Sequence, residues 1–164
     1  MRRALVMHQS SQRRFLALSC LPVIVIGLAV RMDANEPPGT VVLQELVDGL
    51  KTQLGISAVV SAAIVTSNGL LVSVRPVDGD PGTFRIEFEE AFSNSLDQDE
   101  LKAVIAHELG HVWIYTNHPY LQTERLANTV AMRAVPRANL ERVYRKVWEH
   151  QGTKGDLARF LGPE

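Results

Sequence analysis

From residue 40 onward, apolar positions alternate between helical and strand spacing. Leu43, Leu46, Val47, Leu50 and Leu54 recur three and four apart behind Thr40, a residue able to cap a helix, and Gly55 stops the run. SAVVSAAIVTSNGLLVSVRPV (57–77) then reads as two strands around an Asn68-Gly69 turn, the usual signal for a hairpin. After DGDPG, the stretch TFRIEFEEAF sets Phe84, Ile86 and Phe88 against Arg85, Glu87 and Glu89, a strand with one solvent-facing side. Its charges also suit a sheet edge protected from aggregation. Asp97 and Glu100 stand at capping-box spacing before a helix whose apolar face is Leu101, Val104, Ile105, Leu109 and Val112. That helix should end near Asn117, because His118 precedes Pro119. A further helix is expected over about 121–135, closed by Pro136, and a last one over RANLERVYRKVWEH with Leu140, Val143, Tyr144, Val147 and Trp148 as its stripe.

Composition changes this picture only at the front of the chain. At 164 residues, 46% hydrophobic and 21% charged, the protein reads as one ordinary globular domain. A formal net charge of −1 gives no reason to expect a nucleic-acid partner. Four arginines and no acid precede residue 31, whereas 13 Lys/Arg face 18 Asp/Glu after it. Between Phe15 and Val30 runs FLALSCLPVIVIGLAV, uncharged and behind an arginine-bearing leader. At about 1.5 Å per residue it spans about 24 Å, short of a hydrocarbon core of about 30 Å. That length favours a secretory signal, with Gly27-Leu28-Ala29 as small residues at a cleavage site. An uncleaved membrane anchor and a buried helix are the other readings. The arginines ahead of the segment outnumber those after it, so the domain is expected outside the cytoplasm, exported or tethered. The organisation expected is therefore a signal or anchor over 1–30, a linker over 31–39 and a domain over 40–164. Cys20, the only cysteine, lies in the leader, so the domain relies on its core rather than on disulfides.

The chemistry sits in LKAVIAHELGHVWIYTNHPYLQTERLAN (101–128). His107 and His111 differ by about 40° around a helix and about 6 Å along it, so both imidazoles can converge on one Zn²⁺. Glu108 falls about 60° from His111, beside the metal and able to take a proton from a water that zinc activates. A third ligand is needed. His118 would sit about 10 Å beyond His111 on a continuous helix, too far to share an ion. Glu124 is the better candidate, because it opens a helix on which Ala127 and Ala131 allow close approach to the first. Asn128, one turn further on, can hydrogen-bond a ligating histidine. For the developing oxyanion, Tyr115, His118, Tyr120 and Arg133 are all candidates that the sequence does not rank.

IEFEEAFSNSLDQDELKAVIAHELGHV followed by ERLAN resembles the gluzincin metallopeptidases, which carry HExxH on one helix and ExxA(D/N) on the next. The resemblance covers about residues 84–136. It is nearest to the membrane-associated heat-shock and prenyl-protein endopeptidases, the minimal single-domain gluzincins and the phage-immunity metallopeptidases. It implies an α+β, zincin-like fold, with a small, mostly antiparallel sheet on the active-site helix and further helices behind. It also implies a zinc endopeptidase with one ion on His107, His111 and Glu124 and with Glu108 as general base. Residues 83–89 would then be the edge on which a peptide substrate lies as an added strand. Two features depart from the membrane group: Asn128 replaces the usual Asp, and the short gap from His111 to Glu124 leaves no room for a membrane hairpin. Two readings compete: a zinc-holding binding or chaperone module without turnover, and a tethered scaffold whose HExxH is accidental.

Overall fold

The structure is a computed structural model that describes residues 38–80 and 82–163; the leader and most of the expected linker lie outside the described residues. In chain order the elements are α1 (Pro38–Gln53), β1 (Val59–Val65), β2 (Val72–Pro76), β3 (Thr83–Glu89), α2 (Glu90–Ser95), α3 (Gln98–Asn117), a 3₁₀ turn (Pro119–Leu121), α4 (Glu124–Ala131), α5 (Arg137–His150) and α6 (Leu157–Leu161). This is the expected α+β architecture. Among the described residues, no helix is long and apolar enough to cross a membrane.

The first helix starts at Pro38, inside the expected linker, so Thr40 is a buried residue of its first turn rather than its cap. It ends as expected. Gly55 takes φ 68°, and the N–H groups of Gly55 and Ile56 return to Thr52 and Lys51 carbonyls, satisfying groups the helix end leaves open.

The sheet differs from the expectation in two ways. Its order is β1-β3-β2, with β1 parallel and β2 antiparallel to β3, so it is mixed rather than mostly antiparallel. β1 and β2 do run in opposite directions around Asn68-Gly69, but they are not a hairpin, because β3 lies between them. The physical reason is burial. Phe84, Ile86 and Phe88 are 2%, 0% and 0% exposed, the most apolar row in the sheet, and the central position covers them best. The connection over 66–71 spans the gap instead of a two-residue turn, held by Asn68, whose side chain bonds the Leu70 N–H, Ser73 Oγ and the Glu87 carbonyl. Consequently β3 is paired on both sides and cannot be the edge that receives a peptide. The open side of β1 is covered by a side chain: Gln44 donates to the Val60 carbonyl and accepts from the Ala62 N–H, as a neighbouring strand would. On the outer face, Arg75 and Arg85 stand directly opposite each other, and the Glu87 carboxylate pairs with both.

α3 runs through the middle of the molecule, packed against α1, β2, α4 and α5. Both halves of its capping box are present: Asp97 accepts from the Glu100 N–H and Glu100 from the Asp97 N–H. Glu100 is 3% exposed and also receives Lys146 of α5, with Arg142 nearby, which ties α5 to the start of α3. Burial pushes its carboxyl up, but the Lys146 and Asp97 hydrogen bonds and the Lys146 charge outweigh that and hold it below the usual range. Beyond Asn117 the expected single helix is split. The 3₁₀ turn and Thr123, which caps Leu126 N–H, delay α4 to Glu124, and it ends at Ala131, short of Val135. α5 occupies 137–150 as expected.

A carboxylate stabilised in the folded state contributes above its unfolded value, here near 4.5, and loses that contribution as pH falls through the lower folded value. Glu100→Gln should therefore lower unfolding stability at neutral pH by about 1.5–3 kcal/mol, the range for a hydrogen bond to a charged group. The difference from wild type should shrink once the pH is well below 4.5. Urea titrations of both proteins at the two pH values check this, and an undiminished difference in acid would contradict it.

Candidate functional site

The meeting of α3 and α4 positions the site, and Gly110 makes that meeting possible. A Cβ built on Gly110 would lie 2.4 Å from the Ala127 carbonyl oxygen and 2.9 Å from Ala127 Cα, distances backbone atoms do not tolerate. Ala127 and Ala131 are fully buried on the opposing face. At this spacing α4 delivers Glu124 to the two histidines one helix away. The sequence showed the alanines as the reason for close approach; the glycine inside HELGH is the more stringent requirement.

Three donors meet there. His107 Nε2 is 3.2 Å from His111 Nε2 and 3.2 Å from Glu124 Oε2, and His111 Nε2 is 3.4 Å from Glu124 Oε1. With one oxygen taken from Glu124, the three ligand atoms lie within 4.8 Å of one another, and the His107–His111 and His107–Glu124 Oε2 separations are close to the edge of about 3.3–3.4 Å in a tetrahedral zinc site, so the three residues could hold one zinc ion.

Hydrogen bonds behind the rings set which nitrogen carries the proton. Asn128, fully buried, gives its amide nitrogen to the Tyr144 hydroxyl (2.7 Å) and the Phe160 carbonyl (3.1 Å). A carbonyl only accepts, so Oδ1 must be the atom facing His107 Nδ1 at 2.8 Å, and that ring nitrogen is the donor. Gln122 does the same for His111: its amide nitrogen donates to the His111 carbonyl, leaving Oε1 to accept from Nδ1 at 3.2 Å. Both Nε2 lone pairs are thereby directed at Glu124. Acceptors facing acceptors in this way need a cation between them, either a metal ion or a proton on Nε2.

Electrostatics follow the same geometry. When Nε2 carries a proton, hydrogen bonds from His107 and His111 hold the Glu124 carboxyl far below its usual range. Burial pulls His111 down, but its bonds to Glu124 and Gln122 and the charges of Glu108 and Glu124 carry it above its ordinary value. Glu108 is 7% exposed, and burial pushes its carboxyl up, against the attraction of the two imidazoles and a hydrogen bond from the Val74 N–H. Burial, with Glu124 and Glu108 alongside, holds the Tyr144 phenol well above its usual range.

A cavity of about 480 Å³ opens beside these groups, between β2 and helices α3 and α5. Its lining combines the polar groups of His107, Glu108, His111, Glu124, Gln122 and Tyr144 with the apolar Val104, Leu140, Val143 and Val147. Of the four residues considered for oxyanion or substrate contacts, only Tyr115 lines the cavity, edge-on to Phe84. His118 and Arg133 instead pack on the Trp113 ring, at 5.7 and 5.2 Å, and Tyr120 is 98% exposed outside the cavity. Sequence reasoning missed Tyr144 and Gln122. Tyr144 reads as one more member of an apolar stripe, and Gln122 stands in a turn with no periodicity.

Two helices meeting in this way beside a small mixed sheet belong to the gluzincin-type zinc metallopeptidases, which is the class of this protein. Residues 39–153 match the sequence model of peptidase family M48, and the chain belongs to that family. It is thus a metallopeptidase, a zinc-dependent hydrolase of peptides or proteins. Among solved structures it is similar to the crystal structure of the metallopeptidase zymogen of Pyrococcus abyssi abylysin. The two are 18% identical, the match covers 70% of this chain and 99% of that one, and the TM-score is 0.49. No curated protein matches the sequence.

Gly110→Ala would force the α3 and α4 backbones apart and should destabilise the fold by about 1–3 kcal/mol, the usual cost of overpacking a close contact. Chemical denaturation of the variant beside wild type measures it, and equal midpoints would show that the contact can relax.

Proposed function

We propose that the protein is an endopeptidase whose single zinc ion is held by His107, His111 and Glu124, with Glu108 as general base. The observation that carries this reading is the convergence of one donor atom from each of these three residues within 4.8 Å of one another, as the ligands of a single zinc ion require. Bound there, zinc supplies Lewis-acid polarisation of the scissile carbonyl and makes a water acidic enough to be deprotonated near neutral pH. Glu108 takes the proton of the attacking water and hands it to the leaving amine. Its raised affinity for protons, caused first by burial, suits both transfers. Asn128 and Gln122 keep the two rings in the ligating tautomer through the bonds already described.

The peptide in this reading lies along β2, not β3. In the antiparallel pair, Leu71 and Val77 bond to β3, as do the alternate residues between them, so the Val72 and Val74 carbonyls turn to the open side that faces the cavity, while the Val72 N–H returns to the Leu70 carbonyl. A strand added there would run past Glu108, which lines the same cavity. The apolar part of the cavity lining would take an apolar side chain of the peptide. Export, supported by the arginine-flanked apolar stretch Phe15–Val30, would place this activity outside the cytoplasm.

Two sets of variants test the assignment. Glu108→Gln should keep its zinc while peptide cleavage falls by about 10²–10⁴-fold, the worth of general-base catalysis. Cleavage near the wild-type rate would refute the base. Glu124→Ala should lose zinc to a mild chelator during dialysis, whereas His118→Ala should retain it, since His118 packs on Trp113. The reverse pattern would overturn the ligand set.

A further inference from the structure

The C-terminal segment turns its back on the cavity and reaches the site from behind. α6 packs against α4 and α5, with the Phe160 ring 5.0 Å from Tyr144 and 6.1 Å from Trp148. Its end is held by one residue: Arg137 donates to the carbonyls of Leu161 and Gly162, both at 2.9 Å, and to that of Pro163 at 3.4 Å. The segment's polar product is the Phe160 carbonyl, aimed at the Asn128 amide.

An asparagine beside a ligating histidine has a weakness that an aspartate lacks. Either end of its amide can face the ring, and the nitrogen end would turn Nδ1 into the acceptor and place the proton on Nε2. Something must decide which end turns inward. The Tyr144 hydroxyl cannot decide it, because a hydroxyl both donates and accepts. The Phe160 carbonyl can, because it accepts only.

Resting on the zinc site proposed above, we infer that the C-terminal segment is a positioning element of that site. The Phe160 carbonyl, held in place by Arg137, selects the amide orientation of Asn128 and through it the zinc-ligating tautomer of His107. Aspartate at position 128 would set a carboxylate oxygen against the Phe160 carbonyl, acceptor facing acceptor. In this chain it should therefore be worse than asparagine, although aspartate is able to accept from a histidine.

The test measures zinc affinity of the full-length chain by competition with a chromophoric chelator, with folding followed by circular dichroism. Asn128→Asp should weaken zinc binding by about 10–100-fold, the range for losing a partner behind a ligand. Arg137→Met should weaken binding about tenfold at most, with faster amide exchange over 156–163. Asn128→Asp/Arg137→Met should be no weaker than Asn128→Asp alone, because both changes act on the same carbonyl–amide contact. A merely structural tail would give additive losses instead, and that result overturns the inference. So does an Asn128→Asp protein that binds zinc as tightly as wild type, whatever the Arg137 variant does. A wild-type protein that fails to bind zinc would overturn the ligand assignment as well, an outcome distinguishable from the others.

Discussion

The contact between the α3 backbone at Gly110 and the α4 backbone at Ala127 is the constraint on which the rest of the structure depends. Imidazole and carboxylate donors can share an ion only over a few ångströms, while helices with ordinary side chains between them pack about 8–10 Å apart. Removing the side chain at Gly110 and shrinking it at Ala127 brings the axes close enough for Glu124 to reach both histidines. The delayed start of α4, enforced by Pro119, the 3₁₀ turn and the Thr123 cap, sets where along that contact the glutamate falls.

Polar groups in so buried a setting need partners, and each one here serves twice. Gln122 donates to the carbonyl of His111 and in the same act orients the His111 ring. Asn128 does likewise for His107, with two acceptors behind it. Away from the site, Gln44 closes the β1 edge and Glu100 joins a helix cap to a neighbouring helix. No buried side-chain nitrogen or oxygen among the described residues is left without a partner. In a domain with no disulfide, these double roles let a small core carry a reactive centre without a cluster of uncompensated charge.

The sheet shows how burial overrides local signals. Asn68-Gly69 between two strand patterns is good evidence for a chain reversal, and the chain does reverse there. Local pairing lost because β3 carries the three large residues that the core needs most, and only the centre of the sheet, beneath the helices, removes all of them from water. Making β3 central also moved the open edge to β2. That edge lines the same cavity as the histidines, whereas β3, the strand expected at the edge, is enclosed.

What the sequence determined by itself is whatever depends on spacing within one element. Helical periodicity sufficed to set His107 and His111 on one face with Glu108 beside them, and to start α3 at its capping box. The Glu124–Asn128 interval set a donor and an amide one turn apart on a second helix. Only the tertiary structure decided what depends on which elements meet: the central place of β3, the withdrawal of His118 and Arg133 onto Trp113, and the arrival of Tyr144 and Gln122 at the site. Tyr144 and the Phe160 carbonyl lie 16 and 32 residues from the Asn128 they bond, and no periodicity links such positions. A backbone carbonyl leaves no trace in residue identity either, so its part in orienting the amide could be read only once the chain had folded.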